Sequence, residues 1–159
     1  MNLIRTLLIG SLFLTPICQA QSLDAFMRID GIPGDSEVRG HENEIVLTSY
    51  SQTFATKACS RVVAIKNIDR ASPGLITTTA ANTLLPTVVI TVRKPGGPPV
   101  DFYRAMLQNV LIERVEVTGD TGLLKEQLVL KPRQIRIEYR PQARDGTLLP
   151  AIVSTMDCH

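Results

Sequence analysis

Apolar and polar residues alternate with a period of two along several segments of the chain. In Gln134–Arg140 every second residue is apolar and the residues between them are polar or charged, and Thr87–Arg93 repeats most of that pattern. Such alternation is typical of a β-strand with one face in water. The further β-rich runs are Ala25–Asp30, Glu44–Phe54, Arg61–Lys66, Val100–Leu107, Val110–Val117 and Leu124–Leu130.

Turn and breaker residues separate these runs. Residues 94–99 read Lys-Pro-Gly-Gly-Pro-Pro and are typical of a hairpin loop. Pro132 should stop sheet pairing, because proline has no N–H to donate. Glu113 and Arg114 interrupt the alternation within Val110–Val117, which indicates a β-bulge or a sheet edge there.

One segment has helical spacing instead. Ser72 followed by Pro73 favours a helix start, with the serine as N-cap and the proline in the first turn. Asn82 can end this helix of roughly nine residues. Its apolar stripe consists of Leu75, Ile76, Thr79 and Ala80. One short helix among roughly seven or eight strands predicts a mainly β fold, a compact β-barrel or sandwich of two sheets with one flanking α-helix.

Two runs are apolar at consecutive positions, namely residues 62–65 and 110–112. Because neighbours in a strand point to opposite faces, at least one apolar side chain of each run must leave the core. Outward apolar side chains often mark a contact surface. The predicted subunit contacts are Val62, Ala64, Val110 and Ile112.

Residues 1–20 have the layout of a secretory signal peptide, with a positive charge ahead of the apolar run Thr6–Ile17. A membrane anchor is the alternative, but that run is shorter than the roughly 20 apolar residues of a spanning helix and contains Pro16. We expect cleavage after Ala20 and a single mature domain at 21–159 with no stable membrane span. The protein is then expected to be secreted or periplasmic.

Export changes the cysteine count. Removal of the signal leaves two of the three cysteines, Cys59 and Cys158. An oxidising compartment favours a disulfide between them, and two unpaired thiols are the alternative.

Composition excludes several classes of protein. Seventeen Lys and Arg residues stand against 15 Asp and Glu, a net charge of +2. That balance is unlike a polybasic nucleic-acid binder or an acidic disordered chain. With two histidines and no tryptophan, the chain has little material for a metal site or an aromatic stacking platform. We therefore expect no cofactor, no metal and no nucleic-acid partner.

Two motifs could carry chemistry. Asp120-Thr121-Gly122 is the tripeptide of aspartic proteases, in which paired carboxylates activate water; the same residues also make a good turn. His41 stands beside Glu42 and Glu44, but a zinc site needs more ligands than this, and we interpret the segment as a solvated loop. The sequence predicts a protein that is not an enzyme, with an aspartic hydrolase acting through Asp120 as the weakest alternative.

The order of several segments resembles the Hcp family. The residues that carry this resemblance are Phe26–Ser36, His41-Glu42, Ile45–Ser51, Asp69–Pro73, Ile135–Gln142 and Asp145-Gly146. Hcp proteins are the tube subunits of type VI secretion systems. The resemblance therefore implies a two-sheet β-barrel with a flanking helix and a non-enzymatic structural role.

The resemblance also implies partners. Hcp subunits form hexameric rings that stack into a tube, with a spike protein, a sheath and secreted effectors as further partners. This chain departs from the family in its predicted signal peptide and in Ile137, where a tryptophan is usual. An exported β-domain binding module that has lost tube assembly is the alternative function.

Overall fold

The computed structural model describes residues 23–55, 58–94, 99–120 and 122–158, with only the backbone for residues 55, 58–60 and 120. The predicted signal peptide and its cleavage site lie outside the described residues. The elements are β1 Asp24–Ile29, β2 Ile45–Ala55, β3 Ala58–Asn67, α1 Ser72–Ala80, β4 Leu84–Lys94, β5 Val100–Asp120, β6 Leu123–Lys131, β7 Gln134–Tyr139 and β8 Ile152–Asp157.

The strands form one sheet that closes on itself. Its order is β4-β1-β2-β3-β6-β5, and β5 pairs back onto β4, which gives a closed six-stranded barrel. Every pairing is antiparallel. β7 pairs with the first half of β5, and β8 extends the sheet from β7. The prediction of a mainly β barrel with one short helix is confirmed.

β5 is a single strand of 21 residues where the sequence predicted two. Its first half lies between β4 and β7, and its second half pairs with β6. The register shifts between Ile112 and Arg114, which places a bulge where the alternation breaks. Asn109, which lies between the two predicted runs, has a φ of 51°, so the strand bends there without leaving the sheet.

The barrel interior contradicts the predicted subunit contacts. Val62, Ala64 and Val110 are fully buried, Ile112 is 2% exposed, and all four belong to the hydrophobic core. These strands carry apolar residues on both faces. The even-numbered positions face inward, because they share a face with the fully buried Leu128 and Leu130 of β6. The predicted contact role of these four residues is therefore wrong.

The start of α1 differs from the prediction. Ser72 is the first helical residue and Ala71 is the N-cap, with no side-chain hydrogen bond to the helix amides. The C-terminus follows the prediction at Asn82, whose φ is 51°. There the N–H of Asn82 donates to Thr79 O and that of Thr83 donates to Thr78 O, the Schellman pattern.

Only one side of α1 is packed. Leu75 is fully buried in the core, whereas Ile76 is 48% exposed. Of the four residues in the predicted apolar stripe, only Leu75 is buried and anchors the helix to the core. The helix is short, and this burial rather than intrinsic propensity holds it in place.

Candidate functional site

The loop between β1 and β2 folds back against the barrel through backbone hydrogen bonds. The N–H of Gly34 donates to Asn43 O at 2.8 Å, and that of Ser36 donates to Glu44 O at 3.0 Å. A Cβ at Gly34 would lie 2.4 Å from Glu44 O. Only glycine fits this approach, which fixes the loop over the outer face of β1.

His41, in this loop, is buried rather than solvated as the sequence indicated. Its side chain is 4% exposed, and its ring stacks on Phe26 with 4.2 Å between centroids and a 3° interplanar angle. Nδ1 lies 2.7 Å from Glu44 Oε2, and Nε2 lies 3.2 Å from Asp101 Oδ1. Sequence reasoning missed this arrangement because Asp101 is 60 residues away.

Asp101 joins this cluster to β4. Arg93 Nε donates to Asp101 Oδ1 at 2.7 Å, and Arg93 Nη1 donates to Arg39 O at 3.1 Å. Burial tends to raise the pKa of the Asp101 carboxyl, but hydrogen bonds from Arg93 and His41 outweigh it and lower that pKa. The ionised carboxylate therefore ties the loop to the start of β5.

A second ionic cluster lies at the start of α1. Lys66 Nζ lies 2.6 Å from Glu126 Oε2 and 2.8 Å from Asp69 Oδ1. The Ser72 hydroxyl accepts from Lys66 Nζ at 2.9 Å and donates to Glu126 Oε2 at 2.8 Å. Ser72 thus binds the helix to β3 and β6 instead of capping it.

A cleft of about 370 Å³ opens on the outer face of β1, β4 and β5. Its floor includes Thr91, and its rim carries three guanidinium groups, those of Arg28, Arg104 and Arg140. Most of the lining is polar, but apolar residues, among them Phe102 and Leu148, line the cleft as well. The cleft therefore combines cationic and apolar surface.

Besides the outer edge of β8, which pairs with β7 alone, two edges of barrel strands carry no strand partner in the part of the chain that the structure describes. β2 pairs with β1 only through Ile45–Leu47, so residues 48–55 pair with β3 alone. β5 pairs with β4 as far as Leu111, and residues 113–120 pair with β6 alone. These edges lie at opposite ends of the four-strand segment β2-β3-β6-β5.

The other predicted site residues are less informative. Asp120 ends β5 and is the register partner of Leu123, at the mouth of a hairpin in which Gly122 has a φ of 118°. This position agrees with the turn interpretation. Within the described ranges, no group of three His, Cys, Asp or Glu residues could hold a metal ion. No helix there is long and apolar enough to cross a membrane.

The two cysteines of the predicted disulfide are described to different extents. Cys59 is described by its backbone, as the register partner of Phe54 in β3. Cys158 packs against the hydrophobic core, and its N–H donates to Arg133 O at 2.7 Å. Their pairing stays a prediction.

These features define a closed β-barrel domain with free strand edges on β2, β5 and β8. The model of the family described as "Type VI secretion system effector, Hcp" matches residues 26–139. The chain therefore belongs to the Hcp family, and it is a structural component resembling the tube subunit of type VI secretion.

Individual relatives agree with this family assignment. The chain is 25% identical over 142 residues to the protein hcp1 of Pseudomonas aeruginosa, covering 79% of this chain and 88% of that protein. The crystal structure of Hcp1 from Salmonella typhimurium matches with a TM-score of 0.76 at 26% identity, covering 85% of this chain and 94% of that one. A type VI secretion system effector from Yersinia pestis gives 0.74 at 26% identity, with 84% and 99% covered.

Proposed function

We propose that the mature protein forms a closed ring by joining the free edge of β2 in one subunit to the free edge of β5 in the next. The observation that carries this proposal is the position of the two edges at opposite ends of one four-strand segment. By family resemblance the ring is a hexamer. An edge with unpaired N–H and C=O groups is a template for a further strand.

The strand directions suit such a joint. β2, β3, β6 and β5 are successively antiparallel, so β5 runs opposite to β2. A neighbouring β2 placed beside β5 would continue the antiparallel alternation. The contact uses two different surfaces of identical subunits, and such head-to-tail joints close into rings when the rotation per subunit divides a full turn.

Exposed apolar side chains lie along both edges. Phe54 near the end of β2 is 46% exposed, and Val117 on β5 is 48% exposed. Leu124, the neighbour of Gly119 across the β5–β6 hairpin, is 55% exposed. Burial of this surface between subunits gives the ring a hydrophobic contribution in addition to backbone hydrogen bonds.

Adjacent proline substitutions test the edge. The N–H groups of Glu116 and Val117 point to opposite sides of β5, so proline removes a bond to β6 in one variant and a free edge N–H in the other. Of Glu116→Pro and Val117→Pro, the variant whose urea midpoint falls less is the edge variant, because it keeps every bond to β6 and loses only the stability that assembly contributes. Thr155→Pro on β8 is the matched control at a different edge.

We expect the edge variant to be folded but monomeric by light scattering, while the control keeps the mass of the parent. An edge variant that assembles like the parent would refute the β2–β5 joint. A parent that is itself a folded monomer would favour the exported binding module.

The export part of the proposal rests on residues 1–20. Cleavage after Ala20 would deliver the domain to the periplasm or the exterior, where a spike protein, a sheath or secreted effectors of the type VI class are partners implied by resemblance. Intact mass of the exported protein tests this. Retention of Phe13 in the mature chain would contradict it.

A disulfide between Cys59 and Cys158 is proposed to accompany export. Phe54, the register partner of Cys59, lines a cavity of about 250 Å³ together with Met156, two residues before Cys158. This nearness of the two chain segments supports the proposal. Titration of thiols in denatured, unreduced protein should find none in the mature chain, and two reactive thiols would contradict the bridge.

A further inference from the structure

We propose that the cleft rimmed by Arg28, Arg104 and Arg140, here called the arginine cleft, binds a carboxylate-bearing peptide segment of a protein partner. The three residues come from β1, β5 and the segment after β7, and all face one cavity of about 370 Å³. A cavity of this size accommodates a few side chains. The inference concerns a surface distinct from the two free edges.

The carboxylates of the arginine cleft are already engaged. Glu44 is bound to His41 at 2.7 Å, and Asp101 is bound to Arg93 at 2.7 Å. Glu138, which lies opposite Arg104 in register, has its Oε1 atom 2.9 Å from Arg136 Nη2.

The rim arginines, by contrast, have little to pair with. Arg104 and Arg140 make no side-chain hydrogen bond or ion pair with a described residue. Arg28 has one contact, to the exposed Asp30 at 3.8 Å. An exposed pair at that distance contributes little stability. The cleft therefore has an excess of unsatisfied cationic donors, and guanidinium groups bind carboxylates through paired hydrogen bonds.

Thr91 adds a hydroxyl group to the cleft. The residue as a whole is 5% exposed and lines the cleft, and its hydroxyl makes no hydrogen bond with a described residue. The hydroxyl oxygen is not among the buried atoms that have no partner, so it is open to the cleft, where it can bond to a ligand or to water. Thr91 is the register partner of Arg104 and is diagonal to Arg28 on β1, so the hydroxyl lies between two cationic side chains.

The walls favour a peptide over a small inorganic anion. Val100, Phe102 and Leu148 line the cleft beside the arginines. A phosphate ion could bind the guanidinium groups but would leave this apolar surface exposed to water. A segment in which apolar and acidic side chains alternate would use both, since alternate residues of an extended chain project to opposite sides.

Calorimetric titration of the purified mature protein tests the proposal. The probe is a short peptide of alternating leucine and glutamate, blocked at both ends. Its counterpart has glutamine in place of glutamate, and inorganic phosphate is titrated separately. Arg104→Gln and Thr91→Val remove the proposed contacts, and Arg133→Gln is the matched control because it removes an exposed arginine outside the cleft.

We expect the acidic peptide to bind with a Kd that rises about tenfold in Arg104→Gln and in Thr91→Val, equivalent to about 1.4 kcal/mol. The Arg133→Gln variant should bind like the parent. The proposal is overturned if the glutamine peptide binds equally well, if phosphate binds as tightly as the peptide, or if Arg133→Gln weakens binding as much as Arg104→Gln. No heat above dilution with any probe at millimolar concentration overturns it as well.

These outcomes are separate from those of the ring proposal. Neither the rim arginines nor Thr91 belongs to the free edges at 48–55 and 113–120. The edge variant that is monomeric should therefore keep the same affinity for the acidic peptide.

Discussion

Lys66 on β3 and Glu126 on β6 are register partners whose side chains are both fully buried, with 2.6 Å between Nζ and Oε2. A buried ion pair gains little over apolar packing, but removal of one partner leaves the other charge buried with less compensation. After Glu126→Leu the Lys66 ammonium keeps Asp69 Oδ1 at 2.8 Å as its remaining carboxylate. We therefore expect Glu126→Leu to lower the free energy of unfolding by about 3 kcal/mol, the lower end of the range for a broken buried pair, as measured by urea denaturation.

The exposed pair of Arg114 and Glu116 provides the control. These side chains are more than half exposed and 3.7 Å apart, so Glu116→Leu should change the free energy of unfolding by less than about 1 kcal/mol. The double variant Lys66→Met with Glu126→Leu should recover much of the loss. Equal effects of Glu126→Leu and Glu116→Leu would refute the role of the buried pair.

Leu75 and Ile76 give a matched comparison on α1. Leu75 is fully buried and Ile76 is 48% exposed. Leu75→Ala should destabilise the protein by about 2–5 kcal/mol, because it removes core contacts and leaves a cavity. Ile76→Ala should change stability by less than about 1 kcal/mol. Thermal or urea unfolding of the two variants checks this, and a larger effect at Ile76 would contradict the packing described.

Acid should weaken the tie between the β1–β2 loop and β5. The pKa of Asp101 is lowered in the folded state from its ordinary value of 3.8. A lowered carboxyl pKa contributes stability above the unfolded value that is lost as pH falls through the folded value. The stability difference between the parent and Asp101→Asn should therefore be present at pH above about 4 and shrink below it. Urea midpoints across that range measure it, and a difference independent of pH would contradict the prediction.

Gly34 tests the close approach of the loop to β2. An added Cβ would lie 2.4 Å from Glu44 O and 2.5 Å from Ile45 Cα, both rigid backbone atoms. Gly34→Ala should destabilise the protein, whereas Gly74→Ala meets only the Ile32 side chain at 3.3 Å and should have a smaller effect. Stability of the two variants by thermal unfolding decides the point. A Gly34→Ala variant as stable as the parent would show that the backbone can move.

The strands of the barrel were predictable from sequence because their inward positions are apolar in alternation. The predicted start and end of Gln134–Arg140 agree with β7 within one residue, and the bulge falls at Glu113 and Arg114 as expected. β8 was not predicted, since Ile152–Asp157 is exposed at nearly every position and has no alternation to detect.

The site was harder to predict, because its contacts join residues far apart in the chain. Ser72 looks like an N-cap from its neighbours, but Lys66 and Glu126 draw its hydroxyl into the core. The acidic neighbours of His41 in the sequence predict a solvated side chain, but in the fold Phe26 and Asp101 enclose it. In the runs 62–65 and 110–112 the sequence showed that apolar side chains point both ways, without showing which of them face inward.

The native mass of the oxidised, mature protein tests the central claim most directly. Edge-to-edge joining of β2 and β5 predicts a single species with about six times the mass of one chain by light scattering, at micromolar concentration. A monomer at all concentrations up to about 100 μM would mean that the subunits associate more weakly than a stable interface allows. That result would contradict the ring.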